Sequence, residues 1–404
     1  MDSMVPQDGS PHGIQATAGP SATPHPCLIA DDLTGALDTA AQFAAIAGPI
    51  PVYWQSLPYP ALPNALAFDS GTREATREEA RRRVAAIAAG LPRSPGSLHY
   101  AKLDSLLRGH AGAEIAAWIA ATAPDHVIVA PAFPYQGRIT RGGIQLARGD
   151  DPRNWTAAAS DLRGDLEREG FTVQPCCPGA AVPAGVSLWD AETDADLDVI
   201  AAAGLALNGP LLNGRVLWCG SSGLAGALAR QMGTAACDPV ALRLPRPILG
   251  LFGTNHPAMT AQIDACPEHV LALPDGGSTS ATVVAQRLDR DGIALATLAL
   301  PKGLARSDAA QRIEGEFARL VRRLDPPGTL LVAGGETLRG LCLALDADRL
   351  DLDGQVWPGV PCSILRGGRF DGVRVISKSG AFGDPALLRR LLALAAPLHQ
   401  GEQA

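Results

Sequence analysis

Two aspartates stand side by side where a short apolar run meets a helical stretch: Cys27-Leu28-Ile29-Ala30 leads into Asp31-Asp32-Leu33-Thr34-Gly35. A carboxylate at such a place can orient a substrate hydroxyl or take its proton. It can equally cap the helix that follows, as Asp routinely does. Two adjacent acids exceed the needs of one cap, and Thr34 offers a cap of its own. A second cluster, Lys102-Leu103-Asp104-Ser105-Leu106-Leu107-Arg108-Gly109, holds two cations, a carboxylate and a hydroxyl in close succession. That inventory suits a small anion rich in hydroxyls, such as a sugar acid, because Arg grips a carboxylate bidentately. An internal salt-bridge network would draw on the same residues. Arg73 and Arg138 follow neighbouring apolar runs and add positive charge. Lysine is scarce: of 34 basic residues only Lys102, Lys302 and Lys378 are lysines. An ammonium is a compact point charge and a guanidinium a planar fork, so a lysine kept among arginines marks a place where compactness matters. Lys302 has no polar cluster around it and reads as a surface residue.

Two further segments look suited to phosphate. Leu330-Leu331-Val332-Ala333 runs into Gly334-Gly335-Glu336-Thr337 at the start of a helix. Glycines let successive backbone N–H groups converge there, and the helix dipole adds positive potential. Lys378-Ser379-Gly380-Ala381-Phe382-Gly383 has the same style, with a cation, a hydroxyl and two glycines. Two such loops in one half of the chain point to a nucleotide. Gly220-Ser221-Ser222-Gly223-Leu224-Ala225-Gly226 has a dinucleotide-binding flavour but the wrong spacing, so a nicotinamide-dependent dehydrogenase is the weaker reading. No Gly-Lys dipeptide and no Gly-x-Ser-x-Gly elbow occurs, which excludes a Walker A loop and an α/β-hydrolase nucleophile. His256 lies in a loop and is expected to be structural.

These residues need elements to position them. In the first half, apolar runs near 27–30, 65–68, 98–101 and 127–130 each end in polar residues. Helical stretches follow the first three, to about Ala47, over Thr76 to Ala89, and over Gly112 to Ala121. Strands alternating with helices predict a mostly parallel sheet, and such sheets bind ligands beyond the carboxyl ends of their strands. Val216-Leu217-Trp218-Cys219 predicts another strand. A proline-rich break between Ala235 and Pro247 places a domain boundary near residue 245. The second half restarts at Ile248-Leu249-Gly250-Leu251-Phe252 and ends in a strand at 373–376 and a helix from about Pro385. The expected fold is therefore α/β in two domains, each built on a mostly parallel sheet flanked by helices, with the site in the cleft between them. Residues 1–25 read as a tail, 26–245 as the substrate domain and 246–396 as the nucleotide domain.

The 404 residues carry a net charge of -7 with no basic block, which argues against nucleic acid as a partner. The eight cysteines show no paired or zinc-like spacing and are expected to be reduced. No apolar run reaches the roughly 18 residues of a membrane span, and residues 1–25 lack the apolar core of a signal peptide. The cytoplasm is the expected compartment, and a homodimer the expected assembly.

Taken in order, the segments Ile29 to Ala36, Lys102 to Gly109, Ala130-Pro131-Ala132-Phe133-Pro134 with Gly137-Arg138, Gly334 to Thr337 and Lys378 to Gly383 resemble the four-carbon acid sugar kinase family. The similarity runs from about Cys27 to Leu392. It implies an N-terminal domain for the sugar acid, a C-terminal domain for ATP, and phosphoryl transfer to a terminal hydroxyl of an acid such as threonate, erythronate or 3-oxo-tetronate. On the substrate side it implies Asp31, Asp32, Arg73, Lys102, Asp104, Ser105, Arg108 and Arg138. Of these, Asp32 is the first choice to act on the hydroxyl, Asp104 the second, and Lys102 a ligand of the reacting oxygens. On the nucleotide side it implies Thr254, Gly334, Gly335, Glu336, Thr337, Lys378, Ser379, Gly380 and Gly383. Mg²⁺ is expected with the nucleotide, its protein ligands unassigned. Where the family has Gly-Ser-x-Ser this chain reads Gly253-Thr254-Asn255-His256, and a family threonine is replaced by Leu106. A non-catalytic sensor of the same ligands is the alternative.

Overall fold

The computed structural model describes residues 24–397, apart from 59, 150, 152, 208–212, 234–241, 254–255 and 302, and apart from the side chains at 213, 214, 306 and 307. Thr254, Lys302 and nearly all of the expected tail therefore lie outside the described residues.

Among the described residues the chain forms an α/β structure whose fifteen principal strands make one sheet. Across it the order is Val270–Leu273, Ile293–Leu298, Ile248–Phe252, Thr329–Ala333, Arg374–Lys378, Val360–Arg366, Arg349–Trp357, Ile50–Tyr53, Leu66–Asp69, His25–Ala30, Ser97–Lys102, Asn213–Gly220, His126–Ala130, Gly185–Trp189 and Val173–Cys176. The eight strands from Ile50–Tyr53 onward are parallel. So are the first five. These are the two parallel sheets expected from the sequence.

What joins them was not expected. The hairpin Arg349–Trp357 with Val360–Arg366 is antiparallel to its neighbours on both sides, and Leu350 to Leu352 pair with Ile50 to Val52. The two parallel sheets thus share one hydrogen-bonded surface instead of meeting as separate bodies. A sheet edge left open is a liability that pairing removes.

The strands are continuous apolar runs because both faces are covered. Side chains alternate faces along a strand. Leu28 and Ala30 pack in the cluster containing Leu33, Leu37 and Ala40 of the helix Leu33–Ala47. Cys27 and Ile29 pack on the other face, with Val84 and Ala88 of the helix Arg77–Gly90 and Ile115 and Trp118 of Ala111–Thr122. The low aromatic content and many alanines let these helices lie close. A smaller antiparallel sheet, Arg138–Arg141, Ile144–Arg148 and Trp155–Ala157, follows the strand His126–Ala130. No described helix is long and apolar enough to cross a membrane. The described cysteines are all free.

Candidate active site

The strand His25–Ala30 lies between Leu66–Asp69 and Ser97–Lys102, and all three end at one edge. The connection leaving His25–Ala30 runs to Ile50–Tyr53 on one side and that leaving Ser97–Lys102 runs to His126–Ala130 on the other, the arrangement that opens a crevice at the carboxyl ends. Asp31, Asp32, Arg73, Lys102 and Asp104 meet there.

Arg73 holds both aspartates. Its Nε and Nη2 donate to the two carboxylate oxygens of Asp31 at 2.7 and 2.8 Å, and Nη1 donates to Oδ2 of Asp32 at 2.5 Å. Asp31 is buried, and both its oxygens are used in this fork. Asp32 does two things at once. Its Oδ1 accepts from the Gly35 N–H at 2.8 Å and caps the helix Leu33–Ala47, while Oδ2 faces Arg73. Asp32 therefore caps the helix with one oxygen and meets Arg73 with the other. The Asp32 side chain keeps 23% of its exposure against 4% for Asp31, which makes it the accessible member of the pair.

Asp104 is committed elsewhere. Arg108 grips it through Nε and Nη2 at 2.9 and 2.7 Å, and the N–H groups of Leu106 and Arg108 donate to it at 3.2 Å. Burial pushes this carboxyl up, but the Arg108 hydrogen bonds and the charges of Arg73 and Lys102 win and hold it well below the usual carboxylate range. Such a group anchors a loop better than it accepts a proton. Half-buried Ser105 sits in that loop. Arg138 is close enough to feel the charges of Asp104 and Arg108, and its buried Nε has no hydrogen-bond partner among the described residues.

Lys102 stands apart. It is buried to 8% exposure, yet among the described residues it makes no hydrogen bond and no ion pair. The fields of Asp31, Asp104 and Glu114 surround it. A methyl on Gly35 would come within 2.6 Å of Asp32 Oδ1 and 2.9 Å of Lys102 Nζ, so only glycine lets cap, carboxylate and ammonium share this space.

Glu114 is a neighbour that sequence reasoning missed. Its carboxyl accepts from Thr72 Oγ1 at 2.6 Å, and burial, followed by the Asp31 charge, pushes it up to about 7. The folded state therefore binds this proton more tightly than the unfolded chain. The resulting stabilisation is complete below about pH 4.5 and is lost as pH rises through about 7. Glu114→Gln removes the charge and keeps an acceptor for Thr72. We expect it to flatten stability across that window and to raise it at pH 8 by about 2–3 kcal/mol in urea melts.

On the other side, the strands Thr329–Ala333 and Arg374–Lys378 are neighbours, and the Gly334 N–H donates to the Lys378 carbonyl at 3.0 Å. Gly334 has φ +109°, a backbone setting suited to glycine, and the helix Gly335–Ala344 begins without a side-chain cap. Its first N–H groups are free of a side-chain acceptor, as an anion site requires. Thr337 is buried and Glu336 exposed in this turn. Lys378 is bonded to its own loop. Its Nζ donates to the carbonyls of Ser379 and Phe382 at 3.1 and 3.0 Å, so it staples the loop that carries Ser379, Gly380 and Gly383. Burial pushes this ammonium down to about 8. Gln262 supports the same loop through Phe382 and Gly383. His256 caps the helix Pro257–Asp264, as a structural residue should.

The two sides touch. A methyl on Gly335 would lie 2.6 Å from Thr34 Oγ1 and 3.3 Å from Asp32 Oδ2. Arg339, one turn further along that helix, pairs with buried Asp69 at 3.1 Å. The loop Gly220 to Gly226, similar to a dinucleotide loop in sequence, follows a strand lying between Ser97–Lys102 and His126–Ala130. It therefore joins the Lys102 end, where Ser222 donates to Asp38. The strand–loop–helix grammar at Gly220 was the available signal for this placement. Among the described residues, no three His, Cys, Asp or Glu side chains converge as a metal site would require.

Two family models match the chain: a sugar-binding N-terminal domain over residues 27–165 and a nucleotide-binding C-terminal domain over residues 251–388. A D-threonate kinase of Bordetella bronchiseptica is 32% identical, over 91% of this chain and 96% of its own length. A D-erythronate kinase of Heliobacterium modesticaldum is 27% identical, covering 88% and 94%. A 3-oxo-tetronate kinase of Pseudomonas fluorescens is 28% identical, covering 90% and 95%. A crystal structure from Salmonella typhimurium LT2 shares the fold with a TM-score of 0.69 at 22% identity, covering 91% of this chain and 98% of that one. With both domains matched and relatives aligned along nearly its whole length, the chain belongs to the four-carbon acid sugar kinase family.

Proposed function

We propose that this protein is an ATP-dependent kinase that phosphorylates a terminal hydroxyl of a four-carbon sugar acid. One observation carries the reading: the helix turn at Gly335, without a side-chain cap, abuts Asp32, beside a buried ammonium at Lys102 that makes no hydrogen bond or ion pair among the described residues. The phosphates of ATP would lie on the N–H groups of Gly335, Glu336 and Thr337, within the loop that Lys378 staples. The acid would lie over the ends of the three strands. Asp32 would accept the hydroxyl proton as the oxygen attacks the γ-phosphorus, and the bond to the β-phosphate oxygen would break to release ADP. Lys102 would balance the charge that gathers on the transferring group. Positioning and charge neutralisation supply most of the catalysis in phosphoryl transfer. Arg108 and Arg138 would face the carboxylate of the acid, since Arg108 is exposed and Arg138 retains an unused donor.

Mg²⁺ commonly travels with nucleotide phosphates and keeps several waters. The described residues offer no dedicated cage of His, Cys, Asp or Glu for it. The names of the relatives support threonate, erythronate and 3-oxo-tetronate as the acids to try first. The test is ADP release from ATP with a panel of these acids. Acid-dependent ADP release, with a phosphorylated acid as co-product, is the expected result. Tight binding of acid and nucleotide without turnover would replace the kinase by a sensor.

A further inference from the structure

The two parallel sheets meet along two lines. One is the strand pairing of Ile50 to Val52 with Leu350 to Leu352, away from the site. The other lies at the site, where the helix Gly335–Ala344 packs on the helix Leu33–Ala47 and an ion pair ties it to the end of the strand Leu66–Asp69. Asp69 closes the strand Leu66–Asp69, and its side chain has no exposure. Its Oδ1 accepts from the Gly71 N–H at 2.8 Å and its Oδ2 from Arg339 Nε at 3.1 Å. Arg339 sits on the helix that opens with Gly335. Gly71 has φ +61°, and a methyl there would lie 3.2 Å from Arg339 Nη2, so the loop after Asp69 is shaped around this guanidinium. Arg83 donates to the carbonyls of Ser70 and Gly71 and holds the same loop from the other side.

We propose that Asp69 and Arg339 are a positioning pair that seats the phosphate-binding turn against Asp32, so that phosphoryl transfer depends on this contact. The proposal rests on the kinase reading above. Arg339 touches neither Asp32 nor Lys102; it acts through the helix whose first residue does touch the Asp32 region. A fully buried carboxylate next to Asp31 and Asp32 is costly to keep unpaired, and the only side-chain cation bonded to it among the described residues comes from the other half of the chain. Removing that cation leaves Asp69 buried without a counterion and unties the helix Gly335–Ala344 from this strand end, while the strand pairing and the apolar packing against Leu33–Ala47 still join the halves.

The variant Arg339→Met keeps length and apolar stem but loses the charge. With saturating ATP and acid it should lower kcat by about 10–100-fold, as misplacement remote from the chemistry does. KM for each substrate should stay within about threefold. Arg339→Lys should recover part of kcat, and Asp69→Asn combined with Arg339→Met should be no worse than the worse single variant. Small-angle scattering with ATP and acid bound should show Arg339→Met more open than the unaltered protein. Unchanged kcat with unchanged scattering would overturn the proposal, and so would fully additive losses in the double variant. If the unaltered protein phosphorylates no acid of the panel, the kinase reading fails. The scattering comparison alone then decides the pair: an opened variant supports it and an identical profile refutes it.

Discussion

Asp32→Asn is expected to lower kcat by about 10²–10⁴-fold, the range for loss of a positioned general base, while ATP affinity stays within a few-fold. The geometry makes this substitution unusually clean. Asn caps helices about as well as Asp, so the bond from the Gly35 N–H to position 32 survives. Arg73 retains its two bonds to Asp31. The fold loses the Arg73 bond to Oδ2, and the missing function is that basic oxygen. Asp31→Asn makes the contrast. It breaks a buried two-bond fork to Arg73, and loss of one partner of a buried ion pair costs about 3–5 kcal/mol. That variant should lose thermal stability first and activity with it. Coupled ADP assays, calorimetric ATP titration and thermal melts on both variants separate the roles. Near-normal turnover by Asp32→Asn would remove it from the chemistry.

Lys102→Met should reduce kcat/KM for the acid by about 10²–10³-fold, the loss typical of one preorganised electrostatic group. It should leave the melting temperature unchanged or higher. A buried ammonium with no hydrogen bond or ion pair among the described residues contributes no contact that the fold would miss. Burying the ammonium costs desolvation energy, which an apolar side chain of similar length does not, and the charges of Asp31, Asp104 and Glu114 offset that cost without a direct bond. A site that keeps such a group gives up stability for reactivity. Lys102→Arg tests shape separately from charge. Nζ already lies so close to Gly35 that nothing larger than hydrogen fits between them, so the broader planar guanidinium must displace Asp32 or the helix start. It should lose about as much activity as Lys102→Met, with a lower melting temperature. If both variants kept more than a third of kcat/KM, Lys102 would have no part in the reaction.

Much of the architecture was legible before any coordinates. The run Cys27 to Ala30 reads as a strand because every residue is apolar, and it proves buried on both faces. Thr76 marks a helix start and caps Arg77–Gly90. Local pattern suffices in these places because burial and capping act over a few residues. It does not reach as far where the outcome depends on which group is paired with which, whether the partner is distant in the chain or a few residues away. The hairpin from Arg349 to Arg366 joins two sheets through a strand some 300 residues upstream, and nothing in its own composition names that strand. Lys378 invites a phosphate in sequence, yet its protons go to two carbonyls of its own loop. Asp104 looks like a second base until Arg108 is seen to hold it ionised.

From residue types and order alone, this chain has strand ends rich in acid, ammonium and guanidinium groups in one half and glycine turns in the other. Those are chemical inventories, and chemistry of this kind is written locally. Tertiary structure decided which groups are already paired and which are left over. Asp31, Asp104 and Lys378 are paired within the protein and buried or tied down, Asp32 is paired yet keeps more of its exposure than Asp31, and Lys102 makes no hydrogen bond or ion pair among the described residues. It also decided that Gly335 reaches Asp32 and that Arg339 reaches Asp69. The physical reason is that a charged group's role depends on its neighbours within a few ångströms, and for a parallel sheet those neighbours arrive by long crossover connections.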